Sequence, residues 1–149
     1  MFVVPALGGN ERKVSSFGYR PRWSPDGSQI LFSTSLLWVW ETPKAYVVGL
    51  DGRAPREVLS EFLAGFITTP QVAWHPDGQR VSLWGTHRQL GASFWTIPVA
   101  GGTPVRSVPT KQVEQQLKDT AVTFTDFMWA PSGRSLYFEG TAQGVTNLW

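Results

Sequence analysis

One phrase occurs three times in this sequence. Arg22-Trp23-Ser24-Pro25-Asp26-Gly27 returns as Ala73-Trp74-His75-Pro76-Asp77-Gly78 and again as Met128-Trp129-Ala130-Pro131-Ser132-Gly133. The tryptophans lie 51 and 55 positions apart. Each copy runs Trp, one variable residue, Pro, a short polar residue and Gly, and an apolar run follows. Self-similarity at such a period points to a propeller, a solenoid or an array. It speaks for architecture and says little about activity.

The phrase has the chemistry of a hairpin turn. Pro presets φ at the first central position, Asp suits the second, and Gly takes the left-handed position after it. The expected hairpins join residues 20–23 to 30–34, 71–74 to 80–85, and 124–129 to 135–139. A second set turns on Gly8-Gly9, Asp51-Gly52 and Gly101-Gly102, which between apolar runs are hairpin signals. It joins 2–5 to 11–15, 45–50 to 55–59, and 94–99 to 104–108. A full repeat therefore carries four antiparallel strands, here A to D, which is the signature of a propeller blade.

Counting strands sharpens this expectation. Residues 2–15 supply C and D, residues 19–60 and 71–108 two whole units, and residues 124–149 supply A, B and the start of C. The expected fold is all-β, a β-propeller with three four-stranded blades' worth of strands and one blade divided between the two ends. Closed propellers have ~4–8 blades. In an open stack each large apolar side chain left wet forgoes roughly 1.5–3 kcal/mol, against ~5–15 kcal/mol for a whole domain. An unpaired edge adds an aggregation hazard. The chain is therefore expected either to be a fragment of a longer protein or to close with a second copy into six blades of two-fold symmetry. The homodimer is the preferred expectation.

Three connections carry further expectations. Residues 35–44 include Leu36, Leu37, Trp38, Val39 and Trp40, and strand B is read as running on through them. Residues 86–93 are read as a B-to-C connection. In the 109–122 connection, residues 110–118 read as one or two helical turns capped by Thr110.

Strand A is innermost in a blade, so its early residues approach the central channel. Three positions before each Trp stand Arg20, Gln71 and Asp126, and one position before stand Arg22, Ala73 and Met128. Arg20, Arg22, Gln71 and Asp126 are the candidate ligand-binding residues, placed upstream of the phrase and outside it. Such a ring suits a small polar ligand or a partner's peptide. The blander expectation is a watery channel whose charges satisfy one another. Most of the eight tryptophans read as core, with Trp38, Trp40 and Trp84 as surface candidates.

Composition removes several classes. At 149 residues the chain is of single-domain size. With no cysteine, disulfides and thiolate metal sites are excluded. His75 and His87 have no ligand partners at metal spacing, so no metal and no cofactor is expected. No Gly-x-Ser-x-Gly elbow and no phosphate loop before a helix occurs, and Asp119, Asp126 and Glu139 are not a legible carboxylate pair. No catalytic activity is expected of this chain. Net charge is +2 without charge runs, which argues against nucleic acid. No run approaches ~20 apolar residues, so no membrane insertion is expected. The start lacks the pattern of a signal peptide. The chain as it stands reads as cytoplasmic, with a periplasmic parent protein left open.

The runs Pro21-Arg22-Trp23-Ser24-Pro25-Asp26-Gly27-Ser28-Gln29-Ile30-Leu31-Phe32 and Tyr46-Val47-Val48-Gly49-Leu50-Asp51-Gly52 resemble the TolB-like β-propeller repeat, a WD-repeat-like module common in bacteria. The third copy departs from it with Ser132 in place of Asp. The resemblance implies a scaffold for protein contacts, a sensory domain, or the propeller of a larger hydrolase. The expected function is a non-catalytic scaffold for protein–protein interaction or small-ligand sensing. The alternative is the propeller portion of a larger hydrolase or peptidase that gates substrate access.

Overall fold

The three phrases form one turn three times. Ser24, His75 and Ala130 donate their amides to Gln29, Arg80 and Ser135 carbonyls at 2.8, 2.9 and 2.9 Å. Gly27, Gly78 and Gly133 donate back to the same three residues at 2.9, 3.0 and 2.9 Å, with φ of 70°, 70° and 67°. A side chain at those glycines would be strained, which is why the phrase ends as it does.

The computed structural model describes residues 1–34 and 42–148. These form four antiparallel sheets. The first pairs β1 (Phe2–Val3) with β2 (Arg12–Lys13). The second runs β3 (Tyr19–Trp23), β4 (Gln29–Ser33), β5 (Ala45–Gly49) and β6 (Arg56–Val58) in spatial order. Helix α1 (Ser60–Leu63) leads to the third, made of β7 (Gln71–Trp74), β8 (Arg80–His87), β9 (Gly91–Pro98) and β10 (Val105–Ser107). Helix α2 (Lys111–Thr120) leads to the fourth, made of β11 (Thr123–Trp129), β12 (Leu136–Ala142) and β13 (Val145–Leu148). No helix among the described residues is long and apolar enough to cross a membrane.

The small first sheet copies the outer half of the third. Gly8 and Gly9 have φ of 91° and 136°, and Gly101 and Gly102 have 94° and 139°. Val3 lies opposite Arg12 as Thr96 lies opposite Val105. The Gly-Gly turn thus sets the same register in both hairpins.

Two elements depart from the sequence reading. Residues 86–93 are not a connecting loop, since β8 and β9 run on through them to a tight turn with Gly91 at φ 78°. The extension is held by the segment after α1, which the sequence did not foretell. Ile67 donates its amide to the Thr86 carbonyl at 2.9 Å and Arg88 to that of Gly65 at 2.8 Å. Helix α2 forms as expected, and Thr110 caps it by accepting from the Val113 amide at 3.4 Å. The reading of strand B through residues 35–41 lies outside the described residues.

The core lies between the sheets. Side chains alternate faces along a strand, and β4 uses both. Leu31 joins Val47, Trp74, Val81, Leu83 and Ile97 in the buried seam between the second and third sheets. Ile30 and Phe32 point the other way, beneath Met1, Val3 and Val14 of the first sheet. Leu63 and Phe66 close the end of the main seam.

Two expectations follow for stability. His87 is buried, its ring stacked on Phe62 at 5.5 Å and met edge-on by Phe66 at 5.4 Å. A Cβ at Gly65 would lie 1.9 Å from His87 Nε2. Gly65→Ala therefore overpacks a ring with nowhere to go, and urea unfolding should show a loss of at least about 1–3 kcal/mol. In the turns, Asp26 accepts from Ser24 Oγ at 2.6 Å, the Ser28 amide at 3.1 Å and Ser28 Oγ at 2.8 Å. These bonds hold its carboxyl at about 2, below the ordinary 3.8. Partial burial pushes Asp77 up, but bonds from the Gln79 amide and from the Arg80 side chain and amide outweigh it and leave it at about 2. A carboxylate depressed by folding stabilises above its unfolded value and loses that effect as pH falls toward the folded one. Stability should decline as pH drops from 3.8 toward about 2. Asp26→Asn with Asp77→Asn should flatten that decline in acid-titrated melts.

Candidate functional site

The inner strands bring the three phrases to one place. Strand β7 packs between β3 and β11, so the turns that follow these strands gather at a common cleft of about 490 Å³. Trp23 and Pro25, Trp74 and Pro76, and Trp129 and Pro131 line it, with Arg22, Ala73 and Met128 from the position before each Trp. The sequence places any site upstream of the phrase, and the phrase's own Trp and Pro residues form much of this cleft wall. The readable signal is geometric: turns that follow neighbouring first strands end up side by side.

The four candidate residues are brought together as two pairs. Arg20 Nη1 donates to Gln71 Oε1. Arg22 pairs with Asp126, linking the second sheet to the fourth. Arg22 is the one of the four that also lines the cleft. The side chains of Arg22 and Asp126 remain 35% and 36% exposed, so the pair stays open to solvent. The arrangement is closer to mutually satisfied charges than to an unpaired ring.

The backbone is irregular at these residues. The β3–β4 register shifts between Tyr19 and Arg22, and the β11–β12 register shifts between Phe124 and Asp126. Arg20 has φ 53°, in the left-handed region, where a side chain costs of order 1 kcal/mol. Bulges of this kind re-aim side chains. Here they serve Arg20 and Asp126, and Asp126 Oδ1 also accepts from the Phe127 amide at 2.8 Å. The bulges have no counterpart in β7, where Gln71 lies in regular register with Trp84.

The histidines pack against aromatic rings. His75 Nδ1 accepts from the Asp77 amide at 3.3 Å, and its ring meets Trp129 edge-on at 4.8 Å. Among the described residues, no group of three or more His, Cys, Asp or Glu could hold a metal ion.

The tryptophans divide by position. Trp74 and Trp95 are buried in the main seam, and their indole N–H groups find no partner among the described residues. Trp129 donates Nε1 to Ser82 Oγ at 2.9 Å, and Ser82 also bonds Thr96 Oγ1 at 2.8 Å. Trp84, a surface candidate from the sequence, is partly buried against Phe94 and Phe124 at 4.6 and 5.0 Å. Trp23, read as core, is 49% exposed and lines the cleft. Trp38 and Trp40 lie outside the described residues.

These contacts rank two substitutions. Ser82→Ala strands a part-buried indole N–H and should cost about 1–3 kcal/mol. Arg22→Ala breaks a solvent-screened ion pair and should cost less than about 1 kcal/mol. Thermal melts of the two variants should show the larger drop for Ser82→Ala.

No family model and no curated protein matches this chain. Among solved structures it is similar to a protein of Agrobacterium tumefaciens provisionally assigned as TolB, with a TM-score of 0.67 and 18% identity. The match covers 99% of this chain and 50% of that one, so this chain spans half the neighbour's length. The likeness establishes a TolB-like, β-rich fold, and the four antiparallel sheets are consistent with part of a propeller.

Proposed function

We propose that this chain is a non-catalytic scaffold of the propeller type that binds a segment of another protein across the cleft where the three turns meet. The observation that carries this reading is the convergence of three Trp–Pro pairs on one cleft with a single charged side chain, Arg22, in its wall. Such a lining suits an extended peptide with apolar side chains better than a small polar ligand. Aromatic-lined grooves dock extended chain segments, and rigid aromatic rings offer contact area at low entropic cost. The left-handed Arg20 and the paired bulges add support, since backbone strain gathers at binding sites. The likeness to a TolB fold leaves the partner open, because function belongs to sites and not to folds.

Selection of a displayed peptide library on the immobilised chain tests this reading. Enriched peptides should perturb tryptophan fluorescence and weaken at least about tenfold against Met128→Asp, a loss of about 1.4 kcal/mol. Met128 is an exposed residue of the cleft wall. Peptides that bind the variant equally well would remove the cleft from the proposal.

A further inference from the structure

The sheets pack by a rule that the chain states twice and leaves half-stated at each end. Trp129 reaches back to Ser82 of the preceding sheet. Trp74 reaches back to the seam that holds Leu31 of the sheet before it. Ser82 and Leu31 each stand eight positions after the Trp of their own turn. The eighth residue of one sheet thus bonds the tryptophan of the next in one case and shares a buried cluster with it in the other. Two members of this series lack a counterpart. Trp23, the first tryptophan, is 49% exposed, and Tyr137, the last eighth residue, is 43% exposed.

The free edges show the same complementarity. The first sheet is an outer half, equivalent in turn and register to β9–β10. The fourth sheet is an inner half, and β13 pairs along β12 only from Ala142 to Glu139. In the complete third sheet, β9 lies beside β8 with Thr96 opposite Ser82 and Ile97 opposite Val81. The equivalent of Thr96 is Val3, and that of Ser82 is Tyr137. A cleft of about 180 Å³ lies between β1 and β3, lined by Phe2, Val4, Pro21 and Trp23.

We propose that two copies of this chain close on each other, β1 of each adding to β12 of the other. Val3 then lies opposite Tyr137, Val4 lies opposite Leu136, and Trp23 of one copy seats on Tyr137 of the other. The contact is isologous, so both open ends are satisfied at once. Self-complementarity argues for a second copy as the occupant, since the outer half at one open end is the piece that the inner half at the other takes in a complete sheet. The strand ends contend for one position. Leu148 lies opposite Glu139, the place that Met1 would take by the register of Phe94 opposite Trp84. Met1 is anchored, its amine donating to the Ser15 carbonyl at 2.6 Å, whereas Leu148 is 64% exposed. Leu148 is therefore the end that yields. The peptide cleft lies within one copy, so a failure here leaves the proposed function standing.

Light scattering on the full chain at tens of micromolar should give twice the 16.6 kDa of one chain. Tyr137→Asp should return the mass to one chain with the β-type circular dichroism kept. Because the chain has no cysteine, Val3→Cys combined with Tyr137→Cys supplies a second readout that does not depend on that variant folding. Opposed strand residues lie ~4.5–5.5 Å apart, within disulfide reach, so mild oxidation should yield a covalent dimer. A single-chain mass overturns the proposal. So does a dimer that Tyr137→Asp leaves intact and oxidation fails to link, or an assembly that grows past two copies with concentration.

Discussion

Trp74 sits in the seam between the two four-stranded sheets, in one buried cluster with Leu31, Val81 and Leu83. Its place depends on the turn that follows, because Pro76 and Gly78 fix where β7 stops and β8 begins. That turn sets the register of β8, which in turn decides that Val81 and Leu83 face the seam while Ser82 faces the next sheet. A one-residue slip would exchange the two sets. Packing between sheets is thus specified by hydrogen bonds within a four-residue turn.

The interface between sheets is not uniform in chemistry. Leu31 and Trp74 share an apolar cluster, and the Trp74 indole N–H finds no partner among the described residues. Ser82 gives Trp129 a hydrogen bond, backed by Thr96. The first arrangement favours apolar contact at the expense of an unmet donor, which costs about 1–3 kcal/mol. The second satisfies the donor and buries hydroxyls to do so. The repeat keeps the tryptophan and varies what receives it.

What was legible in the sequence was local chemistry. Gly27, Gly78 and Gly133, and the Gly8-Gly9 and Gly101-Gly102 pairs, announce their turns because few other residues tolerate those φ values. Thr110 announces α2 by the same kind of rule. The extension of β8 and β9 was hidden because it depends on residues 65–67 docking from another connection. Counting back three from each Trp found Arg20, Gln71 and Asp126; the structure pairs Arg20 with Gln71, and Asp126 with Arg22. The count could not find the bulges that aim Arg20 and Asp126, since an arginine at φ 53° has no local signature. Nor could it find the exposure of Trp23, which depends on packing between sheets.

Within every sheet, strands that are adjacent in space are adjacent in sequence. Each sheet can therefore assemble from hairpins of consecutive strands, whose closure entropy is small beside that of long-range pairings. The order of events in folding follows. Sheets form from information held within one repeat, and the tryptophans then dock each sheet on its predecessor. Stability then approximates a sum over the sheets and the contacts between neighbours, the pattern expected where each unit touches only the next. The two-stranded β1–β2 sheet has the least to hold it before docking, since an isolated two-stranded hairpin is marginal in water.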